Sequence, residues 1–221
     1  MSTTPTQTAK ALGLRERKKQ ATRATLSAVA LRLALERGID QVTVEEIASE
    51  ANVSLRTFRN YFPTKAAAIV DIAHNRADTF VAAFKARPAN EELWSSLSEA
   101  LLALYPEEPD RNSIERMRLL RNEPTLAAEE YKADLTVQAR LAEAIAERIG
   151  STVASDIMPG LTAALVLATA HTALEFWLSS GSGSTLRETL SGAMERVRLI
   201  VPSAATTGWS PAGMNCGNTA R

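Results

Sequence analysis

Apolar residues recur every three or four positions along most of this chain and nowhere alternate in a sustained way, so the pattern predicts helices throughout and no sheet. Leu26, Val29, Ala30, Leu33 and Ala34 share one face of a helix that starts near Leu14 and stops at Gly38. Ile47, Ala48 and Ala51 give a short second helix a narrow stripe, and Phe58 and Phe62 give a third helix its inner side. Ile69, Ile72, Ala73, Phe80 and Phe84 mark a long helix from about Thr64 to Ala86, closed by Arg87-Pro88. Four more stripes follow: Leu93, Leu97, Ala100, Leu101 and Leu104 with Trp94 beside them; Met117 and Leu120; Tyr131, Leu135, Ala142, Ile145 and Ile149, stopped by Gly150; and Leu190, Ala193, Val197 and Ile200, stopped by Pro202. Between the last two lies a stretch from about Asp156 to Ser179 that is apolar nearly all round, which predicts cover on more than one side. The expected fold class is all-α.

Helix boundaries can be read from the polar residues between the stripes. Thr43 followed by Glu46 is a capping box, as are Asn112 with Glu115 and Thr185 with Glu188. Asn52 tolerates the left-handed backbone of a tight turn, Ser54 caps the helix after it, and Pro63 ends that helix with Thr64 capping the next. Pro124 suits a first helical turn, and Gly181 to Gly183 makes the turn before the last helix. Two short helices therefore meet at Asn52-Val53, and the second turns Leu55, Arg56, Thr57, Arg59 and Asn60 away from the packing, which describes a helix-turn-helix. Lys65 places a cation in a first helical turn, against the dipole by about 0.3–1 kcal/mol. Either a DNA phosphate at that helix start offsets the cost, or the side chain is a solvated lysine.

Charge adds a polarity to this picture. The 221 residues are 45% apolar and carry no formal net charge, yet residues 1–65 hold eleven Lys/Arg against six Asp/Glu, leaving +5 in front and −5 behind. A basic head on an acidic body fits nucleic-acid contact at one end. The run RERKKQATR, residues 15–23, is either a solvated face or a set of phosphate and minor-groove contacts beside the helix-turn-helix. Cys216 is the single cysteine, and MSTTPTQTAK has no apolar core, so a reducing cytoplasm is expected and a secretory signal is not. Gly160 to Leu178 is barely long enough to span a bilayer and is broken by Thr162, Thr169, His171, Thr172 and Glu175, so no membrane is expected.

The run from Val42 to Lys65 resembles the amino-terminal signature of TetR-type one-component transcriptional regulators, at Thr43, Ile47, Ala48, Ala51, Val53, Ser54, Thr57, Phe58, Tyr61, Phe62 and Lys65, within a match over about residues 17–85. Asn52 departs where the family often has glycine, and Ala66 where an acid often follows the lysine. The small, polar, Thr-rich residues 1–13 predict a disordered arm, and the Ser-, Ala-, Thr- and Gly-rich residues 203–221 a mobile tail. The resemblance implies a three-helix DNA-binding domain at 14–65 and a helical effector-binding and dimerisation domain at 66–202 reached through the long helix. It implies a homodimer through the last two helices, bound to a double-stranded DNA operator and released by a small-molecule effector. Base contacts fall to Arg56 and Asn60, with Leu55 and Thr57 for methyl groups; Thr43, Tyr61 and Lys65 hold phosphates, and Ser54 and Arg59 complete the DNA face.

No phosphate-cradling glycine motif, metal-ligand cluster or nucleophile–His–acid set is present in the sequence, so no enzyme, cofactor or metal is expected. His171 and Glu175, four apart on an apolar helix, form a polar handle, a metal pair, or a histidine simply hydrogen-bonded in the core. The candidate effector walls are Trp94, Leu97, Leu101, Met117, Leu120, Arg121, Tyr131, Leu135, His171 and Trp177. The segment around Leu119 to Leu126 resembles an actinobacterial TetR subgroup, which implies an acyl-CoA-like ligand with Arg118 and Arg121 at its phosphate end. The rival readings are a helical dimeric interaction protein, an activator without a small-molecule effector, and an enzyme acting in the carboxy-terminal cavity.

Overall fold

A computed structural model describes residues 13–107, 109–180 and 183–200, with backbone alone at 14, 72–77 and 200. The expected arm through residue 12, the tail with Cys216, part of the Gly181 to Gly183 turn and the side chains of Ile72, Ala73, His74, Arg76 and Ile200 lie outside the described residues. Those described form nine α-helices and no strand: α1 (Leu14–Arg37), α2 (Val44–Glu50), α3 (Leu55–Tyr61), α4 (Lys65–Lys85), α5 (Leu93–Leu102), α6 (Arg111–Asn122), α7 (Pro124–Ile149), α8 (Met158–Ser180) and α9 (Leu186–Ile200). The all-α expectation holds.

The chain divides into two compact units. The first is Met1–Ile72 with Glu123–Glu129. Its core joins Leu26, Ala30 and Leu33 of α1 to Ile47 of α2, Phe58 of α3, Phe62, and Ile69 of α4, all essentially inaccessible to solvent. Gly38, at φ +82°, releases the chain from α1 into a backbone region that side chains disfavour, and a single 3-10 turn (Ile39–Gln41) leads to α2. The helical pattern gave no sign of that turn, which is too short to show a period. The unit takes in α4 as far as Ile72, beyond the boundary expected after residue 65, because Ala66, Ala68, Ile69 and Val70 are buried in it.

The second unit is Ala73–Asn122 with Glu130–Arg221. Its core gathers Phe80 and Phe84, Leu97 and Leu101, Met117, Leu141 and Ile145, Val166 and Leu174, and Leu186, Leu190 and Met194. Asp110 caps α6 by accepting the Ser113 N–H at 2.7 Å, so the helix opens two residues before the expected Asn112 cap. On α7 the packed stripe is Ala133, Val137, Leu141, Ala144 and Ile145. Tyr131 and Leu135, expected inside, are 64% and 49% exposed, because small alanines carry the inner side and bulk alone misdirects the reading. The capping box of Thr185 and Glu188 forms as expected, with the Thr185 N–H donating to Glu188 at 2.8 Å and the Glu188 N–H to Thr185 Oγ1 at 3.1 Å.

Helix α8 buries Ala163, Val166, Ala170, Ala173 and Leu174 while Leu161 and Phe176 stay more than half exposed. Among the described residues it is therefore covered along one side, and the expected cover on a further side is not supplied by them. By length and composition it is also apolar enough to cross a membrane, with 33% of its most apolar window buried.

Candidate nucleic-acid interface

The helix-turn-helix is set by three local devices. At the start of α2 the Thr43 hydroxyl accepts the Glu46 N–H at 3.2 Å, and the Thr43 N–H and hydroxyl donate to Glu46 Oε2 at 2.9 and 3.0 Å. Those two bonds, then the nearby Arg37, hold the Glu46 carboxyl below the usual range. At the end of α2 the Val53 N–H donates to Ala48 O and the Asn52 N–H to Ser49 O, a Schellman closure with Asn52 at φ +54° in the left-handed position. Asparagine therefore fills the place that the family often gives to glycine. At the start of α3 the Ser54 hydroxyl accepts the Thr57 N–H at 3.0 Å.

These caps orient seven residues of α3. Phe58 faces inward, its ring 5.9 Å from that of Phe62, and both are buried. Arg56, Arg59 and Asn60 are exposed, and Leu55, Thr57 and Tyr61 are half-buried at the edge. Thr57, Asn60 and Tyr61 line one wall of an open groove whose other wall is Arg15, Glu16, Lys18, Lys19 and Thr22 of α1. A channel lined by hydroxyls, an amide and three cations against one acid matches a phosphate strand running beside the recognition helix.

Three expected contacts find other occupations. Both donors of Thr43 go to Glu46, so it positions α2 and keeps none for a phosphate. The Lys65 ammonium donates to Ile39 O at 2.7 Å and Val42 O at 2.9 Å, closing the two ends of the 3-10 turn. The dipole penalty at Lys65 is thus met by protein carbonyls rather than by DNA. Arg23 folds inward: its Nη2 lies 2.6 Å from Asp71 Oδ1, and its guanidinium sits 4.6 Å from the Phe62 ring centre. Lys65→Met is therefore expected to lower folding stability by about 1–3 kcal/mol, the cost of stranding partly buried carbonyls, while leaving the salt dependence of DNA binding unchanged. Chemical unfolding and a salt titration of binding check the two halves separately.

The expected effector walls disperse. Leu97, Leu101 and Met117 are core. The Trp94 indole donates to Met194 O and the Trp177 indole to Ser184 O, each at 3.0 Å, so both tie helices and turn rather than face a ligand. Leu120 is half-buried, and Tyr131 and Leu135 point outward.

Arg121 and His171 do come together, with three acids. Arg121 Nη1 is 3.5 Å from Glu175 Oε1, its Nε is 3.9 Å from Glu130 Oε2, and His171 Nε2 is 3.3 Å from Asp134 Oδ2. Glu175 thus faces Arg121, and the acid beside His171 is Asp134, not the partner that helical spacing paired with it. Burial, then the charge of Glu130, pushes Asp134 up to about 6; burial, then Arg121, pushes His171 down to about 4. Glu130 and Asp134 were missed, although their i, i+4 spacing on α7 mirrors that of His171 and Glu175 on α8. Arg121 is shared loosely between Glu130 and Glu175, and its buried Nε has no hydrogen-bond partner among the described residues.

Comparison with known proteins agrees with this architecture. Residues 26–70 match the family described as bacterial regulatory proteins, tetR family, and residues 91–202 match the MftR C-terminal domain. The HTH-type transcriptional regulator TcmR of Streptomyces glaucescens is 31% identical over 173 residues, 75% of this chain and 76% of that protein. Among solved structures, a tetR-family regulator from Streptomyces coelicolor superimposes with a TM-score of 0.54 at 21% identity, covering 84% of this chain and 83% of that one. The SmeT–triclosan complex superimposes with 0.58 at 17%, covering 86% and 97%.

Proposed function

The chain belongs to the TetR family of bacterial transcriptional regulators, and from that premise we propose that it is a homodimeric repressor released from its operator by a small molecule. The observation that carries the reading is α3, whose arginines and amide stand in solvent while Phe58 and the cap residue Phe62 anchor it, beside the cationic start of α1. Two copies would present two such helices to successive major grooves, with half-sites about 34–36 Å apart. The first unit reads DNA in the cytoplasm, and the second pairs subunits and senses the effector. The dimer forms through α8 and α9, where Leu161, Phe176 and Leu199 stand exposed.

The effector site we assign to the junction of α6, α7 and α8 around Arg121, Asp134 and His171, a part-buried polar cluster against the apolar helix α8. SmeT, solved as a complex with triclosan, supports a small-molecule role for a protein of this fold. Effector binding would favour a dimer whose recognition helices are wrongly spaced, through a coupling of about 1–3 kcal/mol.

The test is anisotropy of the DNA flanking the chain's own gene, titrated with protein alone and then with compounds extracted from the native cell. Tight binding that a compound reverses supports repression by release; no preference for any sequence overturns the reading. Arg56→Ala is expected to cost about 1–3 kcal/mol on the operator and to relax the preference at one base position. Selection from randomised half-sites checks it, and an unchanged consensus would remove Arg56 from the reading face.

A further inference from the structure

We propose that Arg23 and Asp71 are positioning residues for sequence-specific DNA binding: joined to each other, they clamp the carboxy-terminal end of the recognition helix without touching DNA. The proposal rests on the reading of the first unit as a DNA reader.

Its basis is one guanidinium that engages three parts of the unit at once. Arg23, on α1, sends Nε to both Asp71 oxygens at 3.0 Å and Nη2 to Oδ1 at 2.6 Å, across 48 residues of sequence to α4. Its carbon lies 4.6 Å from the centre of the Phe62 ring, and Nη1 is 3.5 Å from the carbonyl of Tyr61. Tyr61 is the last residue of α3 and Phe62 its extended C-cap. The front of α3 is held by the Asn52 turn and the Ser54 cap, but a helix of two turns also needs its far end fixed before its tilt is defined. Phe62, stacked under Arg23 and packed on Phe58, supplies that fixed point.

The chemistry demands an arginine. A planar fork can meet a carboxylate with two parallel N–H groups and stack on an aromatic face together; an ammonium can do neither. The Asp71 side chain is 3% exposed, so its charge depends on the guanidinium for compensation, whereas Arg23 is 45% exposed along its outer edge. Arg15, Arg17, Lys18 and Lys19, earlier in the same basic run, are exposed. Within that run Arg23 is a different kind of residue, and its proximity to the DNA face is what disguises it as a phosphate contact.

Arg23→Lys and Asp71→Asn separate the roles. Wild-type protein first selects its operator from a random pool; each variant is then titrated with that operator and with random-sequence DNA over a range of salt. Each variant is expected to lose about tenfold on the operator, comparable to one good base contact, while random-sequence affinity and salt slope stay at wild-type values. A phosphate contact would behave otherwise, since lysine keeps the charge and Asp71 would not matter. Unchanged operator affinity in both variants overturns the clamp, and so does an equal loss on operator and random DNA. Circular dichroism monitors folding: if Arg23→Lys alone unfolds, the isosteric Asp71→Asn decides, and if both unfold the pair serves the fold and the positioning role is wrong. If the wild-type protein enriches no sequence, the DNA-reading premise fails and the clamp with it, an outcome distinct from variants that match a binding wild type.

Discussion

Phe176→Asp is expected to convert the protein to a monomer and to weaken operator binding by at least about a hundredfold, because linking two half-site readers raises avidity by roughly 10²–10⁴. Phe176 is 59% exposed on α8, Leu161 on the same helix 52%, and Leu199 on α9 78%. Large apolar side chains left in water along an antiparallel hairpin are what a four-helix bundle between two subunits would cover. An isologous interface carries every substitution twice. Losing a buried aromatic side chain costs about 1.5–3 kcal/mol per copy, and a carboxylate placed opposite apolar neighbours adds a desolvation penalty. The monomer keeps its recognition helix, so weak half-site binding should persist. Light scattering reports the mass and anisotropy the affinity. Val153→Asp, at a 51% exposed position between α7 and α8, is the control and should change neither. A Phe176→Asp protein that remains dimeric and holds its operator would place the subunit contact elsewhere.

The DNA-reading half was more legible than the sensing half for a physical reason. In the first unit the signals are local: Thr43 with Glu46, Asn52 and Ser54 each act through bonds spanning three to five residues, and all three form as the sequence implies. What was misread there was long-range. Lys65 reaches back 26 residues to Ile39, and Arg23 forward 48 to Asp71, so each looked like a free cation. In the second unit the helices were found but their faces were not always. On α7, Ala133 and Ala144 are core while Tyr131 is outside, an inversion that tertiary packing imposes and residue size cannot foretell. The polar cluster suffered likewise: His171 and Glu175 share a helix face, yet each is claimed by a partner from another helix.

That cluster makes a prediction of opposite signs. Burial raises Asp134 from 3.8 to about 6 and lowers His171 from 6.5 to about 4. Near pH 5 the unfolded chain holds its proton on His171 and the folded chain holds it on Asp134, so the number bound is the same and the pair contributes little slope of stability with pH. Asp134→Asn removes one side of this balance. His171 alone then favours the folded state more as pH rises from about 4 to 6.5, so the variant gains stability over that window relative to wild type. Its advantage at neutral pH, where the wild type keeps a buried carboxylate, should be on the order of 2–3 kcal/mol. His171→Gln exposes the other side: Asp134 favours the folded state below about 4 and loses that favour as pH climbs through 6, so stability falls relative to wild type across the same window. Chemical unfolding of the three proteins between pH 4 and 8 decides the matter. Two variants with parallel slopes would mean that Asp134 and His171 do not exchange a proton on folding, and would remove the electrostatic support for the effector site proposed at their junction.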